Sequence, residues 1–230
     1  MQAVILAAGR GSRMGELTER TPEPMLLVSG KTLIEHKLEL LPDSVDEIIF
    51  VVGYRGDVIR KHFGDSYNGK KVFYIEQENP AGGTAQAVWF CKDLLHDKFL
   101  VMNGDNIYAA DDIAACSHAA DWAVVVMEGQ AVRTGRVLID DKNCVVGISE
   151  NSDHAGEVGN SNTGLYLLDT RLFHYEAIPK AVGSSELGLP QTMLQAVKDI
   201  PIHAIPATRW IEIKCTEDIQ KAEEILKKQA

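Results

Sequence analysis

The stretch LAAGRGSRMGELTERTPEPML, Leu6 to Leu26, decides how the whole chain reads. An apolar run, Ala3–Ala8, enters a loop carrying Gly9, Gly11 and Gly15, with Arg10 and Arg13 among them. Without a Cβ, glycine lets the backbone come close to a phosphate and take positive φ. Successive N–H groups can then point at phosphate oxygens. Glu23 stands just beyond, held between Pro22 and Pro24. A carboxylate fixed beside phosphates repels them, so the stretch offers an anion site and an anion together.

Two familiar phosphate loops do not fit. The dinucleotide fingerprint G-x-G-x-x-G opens straight into a helix, whereas the spacing here is G-x-G-x-x-x-G and two prolines precede any helix. VVGYRG, Val51 to Gly56, also stands where an acid should end the second strand. A Walker A loop would end in Gly30-Lys31-Thr32, but its first glycine would then fall on Met25. GKT reads better as a turn into the following helix.

Working outward, short apolar runs alternate with helical stripes. Leu33, Ile34, Leu38 and Leu41 mark a helix over Thr32–Leu41 that Pro42 stops. Glu47–Val52 is a strand, Asp57–Phe63 a helix closed by Gly64, Val72–Ile75 a strand, Thr84–Leu95 a helix and Phe99–Met102 a strand. This alternation predicts an α/β fold: a Rossmann-like, mixed, mostly parallel sheet covered by helices on both faces. Ligands of such sheets bind at the carboxyl ends of strands, where AAGRGSR and Asn103-Gly104-Asp105 both fall. The second half is richer in strands, at Trp122–Met127, Arg136–Ile139, Val145–Ile148 and Gly164–Leu168. Helices are expected at Leu189–Lys198 and Thr216–Lys228, and a loop from Glu150 to Ser161. No linker or repeat is visible. One domain over residues 1–230 is expected, in two halves divided at about residue 110, the second supplying a substrate side.

Composition narrows the function. The 230 residues carry 23 Lys plus Arg against 33 Asp plus Glu, a net charge of −10. Such a chain lacks the basic stripe that nucleic acid requires, and an anionic substrate must be held by local donors. The four cysteines, Cys91, Cys116, Cys144 and Cys215, form no CxxC pair, so no zinc site or disulfide framework is indicated. No apolar run approaches the roughly 20 residues of a membrane span. The start reads as a buried strand rather than a signal peptide, and the cytoplasm is the expected compartment.

The opening stretch resembles the sugar-phosphate nucleotidyltransferase family, the nucleoside-diphosphate-sugar pyrophosphorylases, of the glucose-1-phosphate thymidylyltransferase and uridylyltransferase kind. That family's signature, L-A-A-G-x-G-x-R-[ML] followed by L-T and P-x-P, is met by Leu6 to Met14, Leu17-Thr18 and Pro22 to Leu26. The resemblance implies that a sugar 1-phosphate attacks the α-phosphorus of a nucleoside triphosphate and pyrophosphate leaves. It implies nucleotide contacts at Leu6, Ala8, Gly9, Gly11, Ser12, Arg13, Gln77, Gly83 and Thr84. Arg13 and Asp105 are the implied catalytic residues. Asn79 to Ala87 is similar to the family's G-T-A segment below the nucleobase, although Thr84 as a plain helix N-cap explains the same residues. Asn103-Gly104-Asp105-Asn106 is similar to the G-D motif, whose aspartate binds Mg²⁺, and Trp210 to Asp218 is similar to W-x-D-x-G-T-P-E-D. Asp105 and Glu212 are thus the implied Mg²⁺ ligands, with a turn aspartate and an edge-strand glutamate as the bland alternatives. Asp105, Gly135, Glu150, Asn162 and Thr163 fall at sugar-phosphate positions. Glu186 to Pro190 matches a common stretch before a late helix, which a turn and a helix start with Pro190 near N1 explain equally well.

Two departures cut across this pattern. The family has P-K-P where Glu23 stands, and E-K-P where Asn151 stands. Charge is reversed at the first position and lost at the second. At an effective dielectric of about 20, an acid beside polyphosphate costs several kcal/mol. Either Mg²⁺ and cations such as Arg133, Arg136 or Lys214 compensate, or the chain is a binding paralogue with impaired turnover, or Glu23 is an isolated substitution in an ordinary enzyme, which the second departure at Asn151 argues against. The partners implied are a nucleoside triphosphate and a sugar 1-phosphate or similar phosphate monoester, with a homo-oligomer left open.

Overall fold

The computed structural model describes residues 1–131, 135–149 and 157–228. Its frame is a ten-stranded mixed sheet. β1 (Gln2–Ala7) is central, and it is entirely buried but for partial exposure at Leu6. The short hairpin of β2 (Leu27–Val28) and β3 (Lys31–Thr32) leads into α1 (Leu33–Leu38). Gly30-Lys31-Thr32 is the expected turn and helix entry. Thr32 Oγ1 accepts from Glu35 N at 3.0 Å, while the Glu35 carboxylate accepts from Thr32 N at 2.7 Å. This reciprocal cap starts α1 without any phosphate.

β4 (Glu47–Val52), α2 (Gly56–Phe63), β5 (Ser66–Tyr67), β6 (Lys70–Glu76), α3 (Gly83–Phe90) and β7 (Lys98–Asn103) follow. β6, β4, β1 and β7 lie side by side and parallel. β8 (Asn106–Tyr108), α4 (Ala110–Ser117), β9 (Trp122–Ala131), β10 (Arg136–Ile139), β11 (Val145–Ser149) and β12 (Val158–Asp169) come next. β12 is antiparallel to β7 along Leu165–Asp169 and also pairs with β9 and β10. α5 (Leu189–Met193), β13 (Ile202–Pro206), β14 (Trp210–Glu212) and α6 (Thr216–Lys227) complete the chain.

Strand alternation sends side chains to two separate cores. Val4, Ile49, Val51 and Val101 face one core with Ala87 and Val88 of α3 and Leu189 and Met193 of α5. Ala3, Ile5, Phe50 and Met102 face the other with Ile34 and Leu38 of α1, Ile59 and Phe63 of α2, and Ile113 of α4. Helices therefore cover both faces, as expected. Two expectations need correction. Residues 158–161 are not loop but the first part of β12, because Val158 and Gly159 pair with β9. The helix expected over 189–198 is α-helical only to Met193 and tightens to a 3₁₀ turn over Leu194–Lys198.

Candidate active site

A cleft of about 400 Å³ opens at the carboxyl ends of β1, β6 and β7. Leu6, Ala8, Gly9, Arg13 and Glu23 line one part of it, and Gln77, Gly83, Thr84 and Asp105 line the rest. Nine of the residues expected from the sequence thus share one concavity. Gly9 faces open space, with nothing within 4 Å of where a Cβ would sit. Arg13 lies on the 3₁₀ turn Ser12–Thr18, where Ser12 is exposed beside it.

Gly11 has a different task. Its φ is +66°, and a Cβ there would stand 2.6 Å from the Glu23 Cβ. Glu23 is therefore seated directly against the glycine loop, inside the cleft. Its surroundings are anionic and partly dry. Burial, then the nearby Asp105 and Glu212 carboxylates, push the Glu23 carboxyl up to about 7, against the pull of Arg13.

Asp105 follows β7 and keeps partial exposure to the cleft. Burial raises its carboxyl, while Lys37, Lys214 and Arg13 oppose that rise. The distant Glu212 is carried to it by pairing of β14 with β8, in which Glu212 lies opposite Asn106. Ile213 N donates to Asp105 O at 3.0 Å. Asn106 is clamped from both sides. Its Nδ2 donates to Thr163 O at 3.2 Å, and its Oδ1 accepts from Trp210 Nε1 at 3.1 Å. Lys214 pairs with Glu212 at 2.9 Å. Asp105 and Glu212 together offer hard carboxylate oxygens in a part-buried setting. Among the described residues, no three His, Cys, Asp or Glu side chains converge closely enough to enclose a metal ion. A donor set of two carboxylates suits Mg²⁺, which takes one or two from protein and completes its shell with water and substrate phosphates.

Lys37 is a site residue that sequence reasoning passed over. It belongs to the buried stripe of α1 and is 0% exposed. Its Nζ donates to Leu33 O at 2.8 Å and to Gly104 O at 2.9 Å, directly beneath the Gly104–Asp105 turn. Burial draws its ammonium down to about 7, and Asp105 opposes this. The signal was a lysine among the apolar positions Leu33, Ile34 and Leu38.

Gln77 is buried and donates to Gly83 O at 3.2 Å. Thr84 is not the N-cap of α3, which is Gly82. Its Oγ1 accepts instead from Leu189 N at 3.0 Å, tying α3 to α5. Gly83, at φ +85°, leaves no room for a side chain, because a Cβ would lie 2.4 Å from Leu187 O and 2.7 Å from Leu187 N. Gly83→Ala is expected to cost about 3 kcal/mol of stability in urea unfolding. A loss under about 1 kcal/mol would mean that residues 186–188 can move aside.

On the second side, Gly135 is buried and its carbonyl accepts from Asn162 N at 2.8 Å. Asn162 Nδ2 donates to the Tyr166 hydroxyl at 2.7 Å, and the Thr163 hydroxyl donates to Val125 O at 2.8 Å. Neither side chain lines the cleft. Glu150, Asn151 and Arg133 lie outside the described residues. Arg136 pairs with Glu157 at 2.6 Å and is not part of the lining. Lys180, Glu186, Leu187 and Gly188 do line it. Read along the chain, Glu186 belongs only to a turn and Lys180 carries no signal, because their approach depends on the contact of Leu187 with Gly82 and Ala85, about a hundred residues away.

Residues 2–205 match the family model described as Nucleotidyl transferase. The chain belongs to the nucleotidyl transferase family. It is 31% identical over 228 residues to the bifunctional protein GlmU of Methanocaldococcus jannaschii, covering 98% of this chain and 54% of that protein. The chain thus spans about half the length of the GlmU relatives it matches. It is 30% identical over 242 residues to the UTP–glucose-1-phosphate uridylyltransferase AglF of Haloferax volcanii, covering 100% of this chain and 98% of that one. Among solved structures, HddC from Yersinia pseudotuberculosis superposes with a TM-score of 0.73 at 26% identity, covering 98% and 99% of the two chains. HddC is also solved complexed with GMP-PN. In this nucleotidyl transferase, no helix among the described residues is long and apolar enough to cross a membrane.

Proposed function

We propose that this chain transfers a nucleoside monophosphate from a nucleoside triphosphate to a sugar 1-phosphate or similar phosphate monoester, releasing pyrophosphate. The carrying observation is that the glycine loop with Arg13, the Gln77–Gly83 wall and Asp105 meet at one cleft, while β14 brings Glu212, which is not part of the lining, opposite the neighbouring Asn106. The two halves of the chain then work as one nucleotidyltransferase domain, acting in the cytoplasm.

In this reading an acceptor phosphate oxygen bonds to the α-phosphorus as the bond to pyrophosphate breaks. The nucleophile is already an anion, so no protein base is needed. The chain must bring two anions together in line and neutralise the charge that builds on the leaving group. Amides of residues 8–13 and the Arg13 fork supply donors for the donor phosphates. Gly83 allows backbone approach to the base. Asp105 and Glu212 would hold Mg²⁺, which when bound supplies charge neutralisation on the phosphates. Lys37 holds the Gly104 carbonyl and so keeps Asp105 aimed at the cleft. Gly135, Asn162 and Thr163 then act on the sugar side only from behind the lining, through the Gly135–Asn162 backbone contact and the Thr163–Val125 hydrogen bond.

Pyrophosphate release should be measured for each nucleoside triphosphate against several sugar 1-phosphates, with Mg²⁺ and with chelator. Turnover is expected for at least one pair and only with Mg²⁺. Background rates for every pair would instead favour the second reading, a nucleotide- or nucleotide-sugar-binding paralogue. The position of Glu23 against Gly11 is the observation that favours that reading.

A further inference from the structure

We propose that Lys180 is a phosphate-binding residue of this cleft, held by Glu186 until an anion arrives. The inference rests on the nucleotidyl-transfer reading and assigns it a cation. Residues 178–188 fold back on themselves. Pro179 bridges Leu187, Lys180 N donates to Glu186 O at 2.9 Å, and Gly188 N donates to Ile178 O at 2.9 Å. The ribbon is anchored to the start of α3, where Leu187 N donates to Gly82 O and Ala85 N donates to Leu187 O, both at 2.9 Å. Lys180 and Glu186 are thereby fixed at the cleft wall and joined as an ion pair.

Charge points to the use of this pair. Arg13 and Lys180 are the cations that line the cleft among the described residues. Lys37 is buried under Gly104, and Lys214 is engaged with Glu212. Lys180 keeps 41% of its side chain exposed, as does Glu186. A phosphate carries more charge than a carboxylate and offers three acceptor oxygens. A lysine on its flexible stem can turn from one to the other without moving the backbone. Glu186 then competes with the incoming anion for the ammonium. The phosphate belongs either to the triphosphate tail or to the acceptor, and the two are separable by experiment.

Calorimetry should compare tripolyphosphate and glucose 1-phosphate binding to the native protein and to Lys180→Gln, Lys180→Arg and Glu186→Gln. Lys180→Gln is expected to weaken at least one probe about tenfold, and Lys180→Arg to restore it. Glu186→Gln is expected to tighten that same probe about threefold, by removing the competitor. The probe that responds identifies the source of the phosphate. Native affinity retained in Lys180→Gln, or weaker binding in Glu186→Gln, overturns the assignment of Lys180 alone. A native protein that binds neither probe overturns the proposed function and Lys180 with it.

Discussion

Asp105→Asn is expected to lower turnover about a thousandfold, the equivalent of about 4 kcal/mol of transition-state stabilisation. The amide keeps the size of the side chain and removes the negative charge at the cleft wall. The same change is expected to stabilise the metal-free fold. Burial raises the Asp105 carboxyl, so the ionised form opposes folding at neutral pH. Pyrophosphate release and a melting temperature in chelator test the two arms together. A rate within tenfold of the native one would remove Asp105 from the catalytic centre. A lower melting temperature would mean that the Lys37–Asp105 attraction outweighs burial.

Glu23→Lys is expected to tighten triphosphate binding about thirtyfold and, where the site is otherwise complete, to raise turnover. Glu23 touches the glycine loop at Gly11, so the exchange replaces repulsion with attraction at the phosphates themselves. The several kcal/mol of an unscreened contact are reduced by solvent to about 2 kcal/mol. Glu23→Gln should fall between the two. Glu23 also makes the native protein pH-sensitive. Its carboxyl moves from 4.5 up to about 7 in the fold, so the folded chain binds the extra proton between those values. Native stability from this group is complete below 4.5 and is lost as pH rises through 7. Glu23→Gln should therefore gain on the native protein above pH 7, by about 2 kcal/mol in chelator after allowing for solvent screening. Urea unfolding at pH 5 and pH 8 reads this difference. An advantage that does not grow with pH would place the titration elsewhere.

Much of this was readable in the chain because it is local. Residues 6–26 form one continuous loop, and their spacing rejects the dinucleotide and Walker patterns without any tertiary information. The apolar runs at β1, β4 and β7 and the stripes at α1, α2 and α3 follow from periods of two and of about 3.6. The first half of β12 was missed because a polar, glycine-containing segment has no strong strand signature. Only its partner β9 makes it a strand. Thr84 has the sequence context of a helix cap, but Gly82 caps α3 and Leu189 gives Thr84 another partner.

By itself, then, the sequence determined the alternating fold and the glycine loop at the end of its first strand, since each is written within a few neighbouring positions. Tertiary structure alone decided what those residues experience. Glu23 reaches about 7 because the cleft buries it and because Asp105 and Glu212, from far along the chain, add negative charge beside it. Lys37 serves the site because the approach of β7 to α1 puts Gly104 over its ammonium. Lys180 lines the cleft because residues 178–188 dock on α3. Charge interactions depend on distance through space and on local burial, and neither quantity is a property of position along the chain.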